Sequence, residues 1–273
     1  MDFLKTSTNV PTGLEFGTLR TLQSLSKKYP EQKIVICLDS TDGWKRAINS
    51  AYKANRSRLS RDEYDRQQEF TKFLHCYYWM ANKSGFEADD VMYTLSQLQR
   101  GSHLLYTNDD DLLQAIDDSR SVKVLKSFGS KLFEWDEDKV RNKYGVRPTL
   151  LALFRSFVGD KSDNLDGVPR IKKEYLAELL EWAWAQHLTL SQMVQEIVTA
   201  DWSDKTSAAV RKFVDSGKWK MNYDLIKLRT VGCNVTAPEF NRDFALRCLK
   251  QWEIRTLDIC QAFADELVEE SEF

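Results

Sequence analysis

The chain opens its regular patterning with an unbroken apolar run, Ile34-Val35-Ile36-Cys37-Leu38, that stops at Asp39. A run of this length fits a strand buried on both faces of a parallel sheet. Phe70 to Ala81 mixes aromatic and apolar positions over a stretch long enough for a helix. Asp89 to Gln99 places Val91, Leu95 and Leu98 on one side and predicts another helix. His103 to Thr107 reads as the next strand, followed by Asn108-Asp109-Asp110-Asp111 and a helical Leu112 to Ile116. Val122 to Leu125 and Lys131 to Glu134 predict a further strand and a hairpin partner. Strands alternating with helices predict an α/β fold, a mostly parallel central sheet flanked by helices. From Asp136 the pattern turns helical. Asp136 is an N-cap candidate and Gly145 a stop. Thr149 to Val158, Tyr175 to Trp184, Leu190 to Thr199, Lys205 to Val214 and Leu246 to Ile259 all carry apolar residues at helical spacing. The expected division is a strand-bearing part, 1–159, and a helical part, 160–273.

Composition narrows the class. The 273 residues include 42% hydrophobic and 29% charged side chains, enough for a core and too charged for a membrane protein. No apolar run approaches a membrane span, and the first residues, Met1 to Lys5, carry no signal-peptide pattern. The five cysteines form no CxxC pair, so reduced thiols and a cytoplasmic location are expected. Three histidines without zinc-motif spacing argue against a His-based metal site. The net charge of -2, from 39 basic and 41 acidic residues, excludes a simple polycation. Trp79, Trp182, Trp184, Trp202, Trp219 and Trp252 read as packing residues, and the acidic tail (Asp265, Glu266, Glu269, Glu270, Glu272) as a solvated end.

The acids are not evenly spread. Asp39 follows the first strand. Glu87-Ala88-Asp89-Asp90 begins a helix, and Asp109 and Asp111 follow the second strand. Gly159-Asp160-Lys161-Ser162-Asp163-Asn164 opens the helical part. Residues just after parallel strands gather at one sheet edge, where ligand sites lie. Glu87 and Asp90, and also Asp160 and Asp163, stand three apart, on one face of a helical turn. Any single cluster reads equally well as helix capping. Four clusters at one edge repel one another unless cations neutralise them. Oxygen donors without His or Cys select hard cations such as Mg²⁺ or Mn²⁺. A pair of such ions suits phosphodiester hydrolysis.

Between Gly43 and Arg61 lie Lys45, Arg46, Lys53, Arg56, Arg58 and Arg61 with no fixed acid after Asp42, and Trp44 and Tyr52 are interleaved. A solvated basic face is one reading. The other is a phosphate-contacting arm beside the acids, with Tyr52 or Trp44 free to stack on a base.

Seven pieces now stand in one order: Cys37-Leu38-Asp39, Trp44-Lys45-Arg46, Tyr52-Lys53-Ala54-Asn55-Arg56, Phe86-Glu87-Ala88-Asp89-Asp90-Val91, Thr107 to Gln114, Lys143 to Pro148, and Val158 to Val168. That order resembles the flap endonuclease / 5′-3′ exonuclease family, especially its phage members and the N-terminal nuclease domain of bacterial DNA polymerase I. The similarity runs from about Gly13 to about residue 260. It implies a PIN-like α/β nuclease over 1–159 with a basic arch at about 43–72, its threading segment running from about Arg56 to Lys72. Residues 160–273 would be a helical DNA-binding part with a helix–hairpin–helix-type element.

The resemblance also implies roles. Glu87, Asp89, Asp90, Asp109 and Asp111 would form the core of a two-ion Mg²⁺ site, which Mn²⁺ can also fill. Asp160 and Asp163 would stand nearer the second ion, and Asp39 would join them. Lys53 would contact the scissile phosphate with Arg56 as its cationic companion. Arg46, Tyr52, Arg58, Arg61, Arg170, Lys172 and Lys173 would bind DNA along with Lys53 and Arg56. Asp110 is the variable middle residue of its motif and stays outside the site. The implied substrates are DNA 5′ flaps or 5′ ends and RNA–DNA hybrids. The implied partners are replication proteins and the compartment is the cytoplasm, a host's if the chain is phage-encoded. No membrane is involved.

Two departures stand out. The family pattern has two glycines around Ile171, where this chain has Arg170 and Lys172. That weakens the case for the family's main-chain-held K⁺, because glycine permits close backbone approach. The family also begins with an apolar strand ending in a metal-ligating aspartate, and this sequence starts inside the interval that follows it. The expectation is a start codon upstream. The alternatives are a truncated or non-catalytic DNA-structure-binding relative and, more remotely, a PIN-like ribonuclease.

Overall fold

The computed structural model describes residues 4–40, 43–54, 59–98, 100–129 and 131–263. Arg56, Arg58 and the acidic tail lie outside them. In chain order the elements are α1 (Gly13–Lys28), β1 (Val35–Cys37), α2 (Trp44–Ile48), α3 (Arg61–His75), β2 (Trp79–Asn82), α4 (Ala88–Leu98) and β3 (His103–Tyr106). Then come β4 (Val122–Phe128), β5 (Lys131–Trp135), α5 (Glu137–Tyr144), α6 (Leu151–Val158), β6 (Gly159–Asp160) and β7 (Leu165–Asp166). The last are α7 (Lys173–Ala185), α8 (Leu190–Thr199), α9 (Asp204–Asp215), α10 (Lys218–Ile226), β8 (Asn234–Thr236) and α11 (Arg242–Gln251).

Local chemistry sets several boundaries. The Asp136 side chain accepts from the Lys139 amide and Gly145 turns left-handed at φ 75°, so α5 starts and stops where the sequence predicts. Ser60 with Glu63 and Thr189 with Gln192 form capping boxes that start α3 and α8. The helix expected over Phe70 to Ala81 is not continuous. It is the end of α3, whose buried stripe is Phe70, Phe73 and Leu74, and the chain then extends into β2. The run Tyr77-Tyr78-Trp79-Met80 is β-prone, and in β2 Met80 and Ala81 turn inward. The helix expected over Leu246 to Ile259 ends at Gln251, where Glu253 adopts a left-handed φ of 53°. Strands do not end near residue 159 either: β6, β7 and β8 follow it.

The chain divides into two compact units. The first holds residues up to Ile36, Arg58–Ala81 and the stretch from Val235 onward. Except for its end residues Cys37, Asn82 and Asn234, a sheet of order β1-β2-β8 belongs to it. Its core turns on Trp252, whose ring meets Phe70 and Phe73 edge-on at 5.6 and 5.0 Å. Glu15 of α1, fully buried, accepts from Nε and Nη2 of Arg66 in α3, one to each carboxylate oxygen. A buried carboxylate needs such a bidentate partner.

The second unit holds Cys37–Ser57 and Asn82–Asn234. Its sheet runs β3-β4-β5, with β3 parallel to β4 and β4 antiparallel to β5. The sheets of the protein are therefore mixed and flanked by helices. The core of this unit joins Leu112, Val124, Leu151, Phe157, Leu176 and Leu180 across strands and helices alike. Gln114 ties the turn after β3 to α10, donating to the Ile226 carbonyl and accepting from the Leu228 amide.

A two-strand hairpin, β6–β7, follows α6, with Gly159 opposite Asp166 and Asp160 opposite Leu165. Gly159 sits at φ 86°, and a Cβ on Gly167 would fall 2.2 Å from the Val158 carbonyl carbon and oxygen. The two glycines let backbone pack on backbone. Asn222 of α10, 1% exposed, holds the hairpin by donating to the Ser156 and Asp166 carbonyls. Among the described residues no helix is long and apolar enough to cross a membrane.

Candidate metal centre and its cationic neighbours

Four segments of the second unit deliver the acids. Asp39, just past β1, accepts from the Ala88 amide at 2.7 Å and so caps α4. That cap sets Asp89 and Asp90 in the first turn of α4, with Glu87 just before it. Asp109 and Asp111 follow β3, and the Asp109 carboxylate accepts from the Asp111 amide at 2.9 Å. The β6–β7 hairpin brings in Asp160 and Asp163. Carboxylate oxygens of Asp111, Asp160 and Asp163, all buried, lie within 4.8 Å of one another.

The electrostatics sort these acids into two sets. Burial pushes the Glu87 carboxyl up, but Lys45 and Lys53, each 2.8 Å away, outweigh it and hold the group below its usual range. Asp89 behaves oppositely. Burial, then Asp109, Glu87 and Asp39, push it up to about 7. Burial and Asp109 also push Asp111 up to about 7 despite the Arg155 guanidinium beside it. Asp90 is raised by burial; one oxygen accepts from the Arg229 amide at 2.9 Å and the other is buried with no hydrogen-bond partner. Like charges packed this closely resist ionisation until a cation joins them. An orphaned carboxylate oxygen, two acids held near neutrality and an all-oxygen donor set fit a hard divalent cation. Among the described residues, the acids whose oxygens converge closely enough to surround such an ion are Asp111, Asp160 and Asp163, and Asp109 is near enough to raise both Asp89 and Asp111.

Lys53 adopts a left-handed backbone at φ 53° and its amide donates to the Asp163 carbonyl. Asn164, at φ 59°, donates back to the Ala51 carbonyl. These two contacts set the Lys53 ammonium between Glu87 at 2.8 Å and Asp163 at 4.0 Å. Tyr52 corrects an expectation. It is 2% exposed, its ring packs with Leu165, Leu225 and Ile226, and its hydroxyl donates to Glu87. The ring is therefore a packing element and is not available to stack on a base. Arg46 is exposed on α2, and Arg170, Lys172 and Lys173 are exposed at the turn into α7. Arg170 holds a left-handed φ of 61° there, the conformation a glycine would supply without strain. Arg61 begins α3 in the first unit, paired with Asp65.

Three residues outside the expected ligand and DNA-binding set brace these acids. Lys45, 4% exposed, reaches Glu87 from α2. Arg155 of α6 bridges Asp111 and Asp160. Asp110 points away from the acids and is gripped by Lys126, Lys143 and Tyr144. Burial pushes Asp110 up, but those donors hold it far below its usual range. It therefore pins the backbone from which Asp109 and Asp111 project. Asp110→Ala should lower stability by about 2–3 kcal/mol, because it leaves two ammonium groups unpaired. A denaturant melt checks this, and an unchanged midpoint would show that the pin carries no weight.

A family model described as the 5′-3′ exonuclease N-terminal resolvase-like domain matches residues 1–145, over half of the chain. The chain belongs to the 5′-3′ exonuclease family. Among its relatives in that family is the 5′-3′ exonuclease of Buchnera aphidicola (subspecies Schizaphis graminum), 28% identical over 84% of this chain and 80% of that protein. The DNA polymerase I of Pseudomonas aeruginosa is 32% identical over 65% of this chain, which corresponds to 20% of the polymerase. The fold matches the T5 D15 protein co-crystallised with metal ions, with TM-score 0.60, 16% identity and coverage of 94% and 93% of the two chains. The T5 D15 flap endonuclease in a complex with DNA and metal ions has a TM-score of 0.55 at 15% identity, covering 93% of this chain and 90% of that one. The family model spans Asp39 to Asp111, so the first three acidic segments fall inside it, and Asp160 and Asp163 lie beyond its end.

Proposed function

We propose that this 5′-3′ exonuclease family member is a divalent-metal-dependent 5′ nuclease that hydrolyses phosphodiesters at DNA 5′ flaps and 5′ ends, with RNA primers as a further substrate. The observation that carries it is the convergence of Asp111, Asp160 and Asp163 within 4.8 Å, beside a Lys53 ammonium 2.8 Å from Glu87 and 4.0 Å from Asp163. Mg²⁺ is the proposed ion, with Mn²⁺ as a substitute. When bound, it would activate water and neutralise charge at phosphorus.

The chain's own residues divide the remaining work. Lys53 sits at the rim of the carboxylates and would neutralise charge developing on the phosphoryl oxygens. Its ammonium is held by Glu87 at 2.8 Å, so an incoming phosphate would find it already oriented. Lys45 balances the other oxygen of Glu87 and keeps that acid ionised. Arg46 and the exposed cations Arg170, Lys172 and Lys173 are proposed to grip phosphates of the duplex, a function assigned to residues 160–273 as a whole. Arg56 and Arg58 are proposed to continue the same phosphate track. DNA is the proposed partner and the cytoplasm, a host's for a phage-encoded chain, the proposed compartment. The turn at Arg170 and Lys172 supports phosphate contact by charge over a main-chain K⁺ site.

A 5′-labelled flap duplex incubated with the protein and Mg²⁺ should release short 5′ products, and EDTA should stop the release. Lys53→Ala should slow cleavage by about 10²–10³-fold, the loss typical of one charge-stabilising donor, and weaken flap binding by a much smaller factor. An uncut flap in both Mg²⁺ and Mn²⁺, with tight flap binding, would leave a DNA-structure-binding protein instead. Digestion of unstructured RNA with no preference for flaps would point to a ribonuclease.

A further inference from the structure

Arg155 is the only charged residue of α6, set in Leu151-Ala152-Leu153-Phe154 on one side and Ser156-Phe157-Val158 on the other. A guanidinium in such a helix is buried only against fixed partners. It has two, and they come from different segments. One arm donates to Asp111 after β3 and the other to Asp160 in β6. These are two of the three acids whose oxygens converge within 4.8 Å.

The consequence for the carboxylates is unequal. Asp160 is saturated: one oxygen accepts from the Ser162 amide at 2.9 Å and its hydroxyl at 2.6 Å, and the other accepts from Arg155. Asp111 has given one oxygen to Arg155. The third acid, Asp163, faces the Lys53 ammonium at 4.0 Å. The triad of three negative charges is thus already met by two positive ones. On the other side stand Asp89 and Asp109, which make no salt bridge among the described residues, and the second oxygen of Asp111. The densest group of acids is therefore the best compensated, and the looser group is the one left short of cations.

We infer that Arg155 is a positioning residue that acts as a built-in cation at the second ion position. It leaves one tight divalent site at Asp89, Asp109 and Asp111, and makes a second ion compete with a guanidinium. A divalent ion entering among Asp111, Asp160 and Asp163 must displace or approach that fixed charge. Repulsion between like charges a few ångströms apart weakens such an ion by at least about tenfold even at an effective dielectric of 20. An ordinary structural ion pair would sit apart from the ligands, whereas this one takes its oxygens from them. The bridge also fixes Asp111 and Asp160 relative to each other: one planar group with two forked donors spans both.

The inference rests on the proposed metal-dependent reading, and direct ion binding separates the two. Mn²⁺ binding to the full chain, followed by the electron paramagnetic resonance of free Mn²⁺ and by calorimetry, should show one tight ion and a second at least about tenfold weaker. Arg155→Gln should bring the second ion to within a few-fold of the first. Arg155→Lys keeps one charge but reaches only one carboxylate, so it should tighten the second ion by a smaller factor, and it serves if the glutamine variant does not fold. Two equally tight ions in the unchanged protein overturn the inference while leaving the metal reading intact. So does a second ion that is unmoved or weakened in both variants. No Mn²⁺ binding at all in the unchanged protein removes the metal reading and this inference together.

Discussion

Gly167→Ala should be the most damaging single methyl group that can be added to this protein. Its Cβ would sit 2.2 Å from both the carbon and the oxygen of the Val158 carbonyl and 2.5 Å from the Gly159 amide nitrogen. All three are backbone atoms, so no side chain can swing away. The β6–β7 hairpin has to move, and Asn222, which donates to the Ser156 and Asp166 carbonyls on either side of the clash, has to let go of one of them. Overpacking of this kind costs about 3 kcal/mol, a fall of roughly 6–12 °C in melting temperature for a chain of this size. The hairpin carries Asp160 and Asp163, so divalent-ion affinity should fall as well. A variant that melts within a degree of the parent and binds Mn²⁺ equally well would show that the close backbone approach is not required.

The metal-free protein should lose stability as the pH rises from about 5 to about 8, the reverse of ordinary acid sensitivity. Asp89 and Asp111 are raised from 3.8 to about 7. A raised folded-state pKa means that the folded chain holds protons the unfolded chain has released. That contribution is full below about 4 and is lost as the pH passes through about 7. Glu87, Asp110 and Glu181 are lowered, so their contributions are complete above 4.5 and do not change in this window. Each extra proton held by the folded state is worth about 1.4 kcal/mol per pH unit. One such proton over two units corresponds to roughly 5–10 °C. In EDTA, melting temperature should fall across this range. Asp89→Asn should flatten the slope, and divalent ions should restore stability at the alkaline end. A flat or rising melting temperature without metal would refute the picture of uncompensated carboxylates.

The acids were legible in the sequence because their chemistry repeats after strands, where a sheet edge collects them. Asp39, Glu87, Asp89, Asp109, Asp111, Asp160 and Asp163 all lie at element ends, and the structure puts all of them in one unit. Their cations were harder to read. Lys45 read as one member of a basic run that suited either a solvated face or phosphate contact, and only burial distinguishes it from Arg46 beside it. Arg155 did carry a signal, a single charge inside the apolar run from Leu151 to Val158, since a charged side chain enters a core only against a partner. Asp110 was set aside as the middle of its motif, although three donors wait for it on β4 and α5. Tyr52 was misread because an aromatic among basic residues suits both base stacking and a buried cluster. What decided its place was the contact with α10, which no local pattern announces. The short strands β2 and β8 were missed for a similar reason. With three or four residues each they show no alternation, and pairing across more than 150 residues defines them.

The amide that holds Asp90 belongs to Arg229, 139 residues further along the chain. Seen from the ribosome, this is a matter of timing. A chain made at about 5–20 residues per second exposes Asp90 for on the order of ten seconds before Arg229 is synthesised. For about the first half of that interval the hairpin bearing Asp160 and Asp163, which ends at Asp166, has not yet been made either. The acids of the candidate metal centre are therefore all present only once Asp163 has been made, and the buried Asp90 gains its amide partner only once Arg229 has followed.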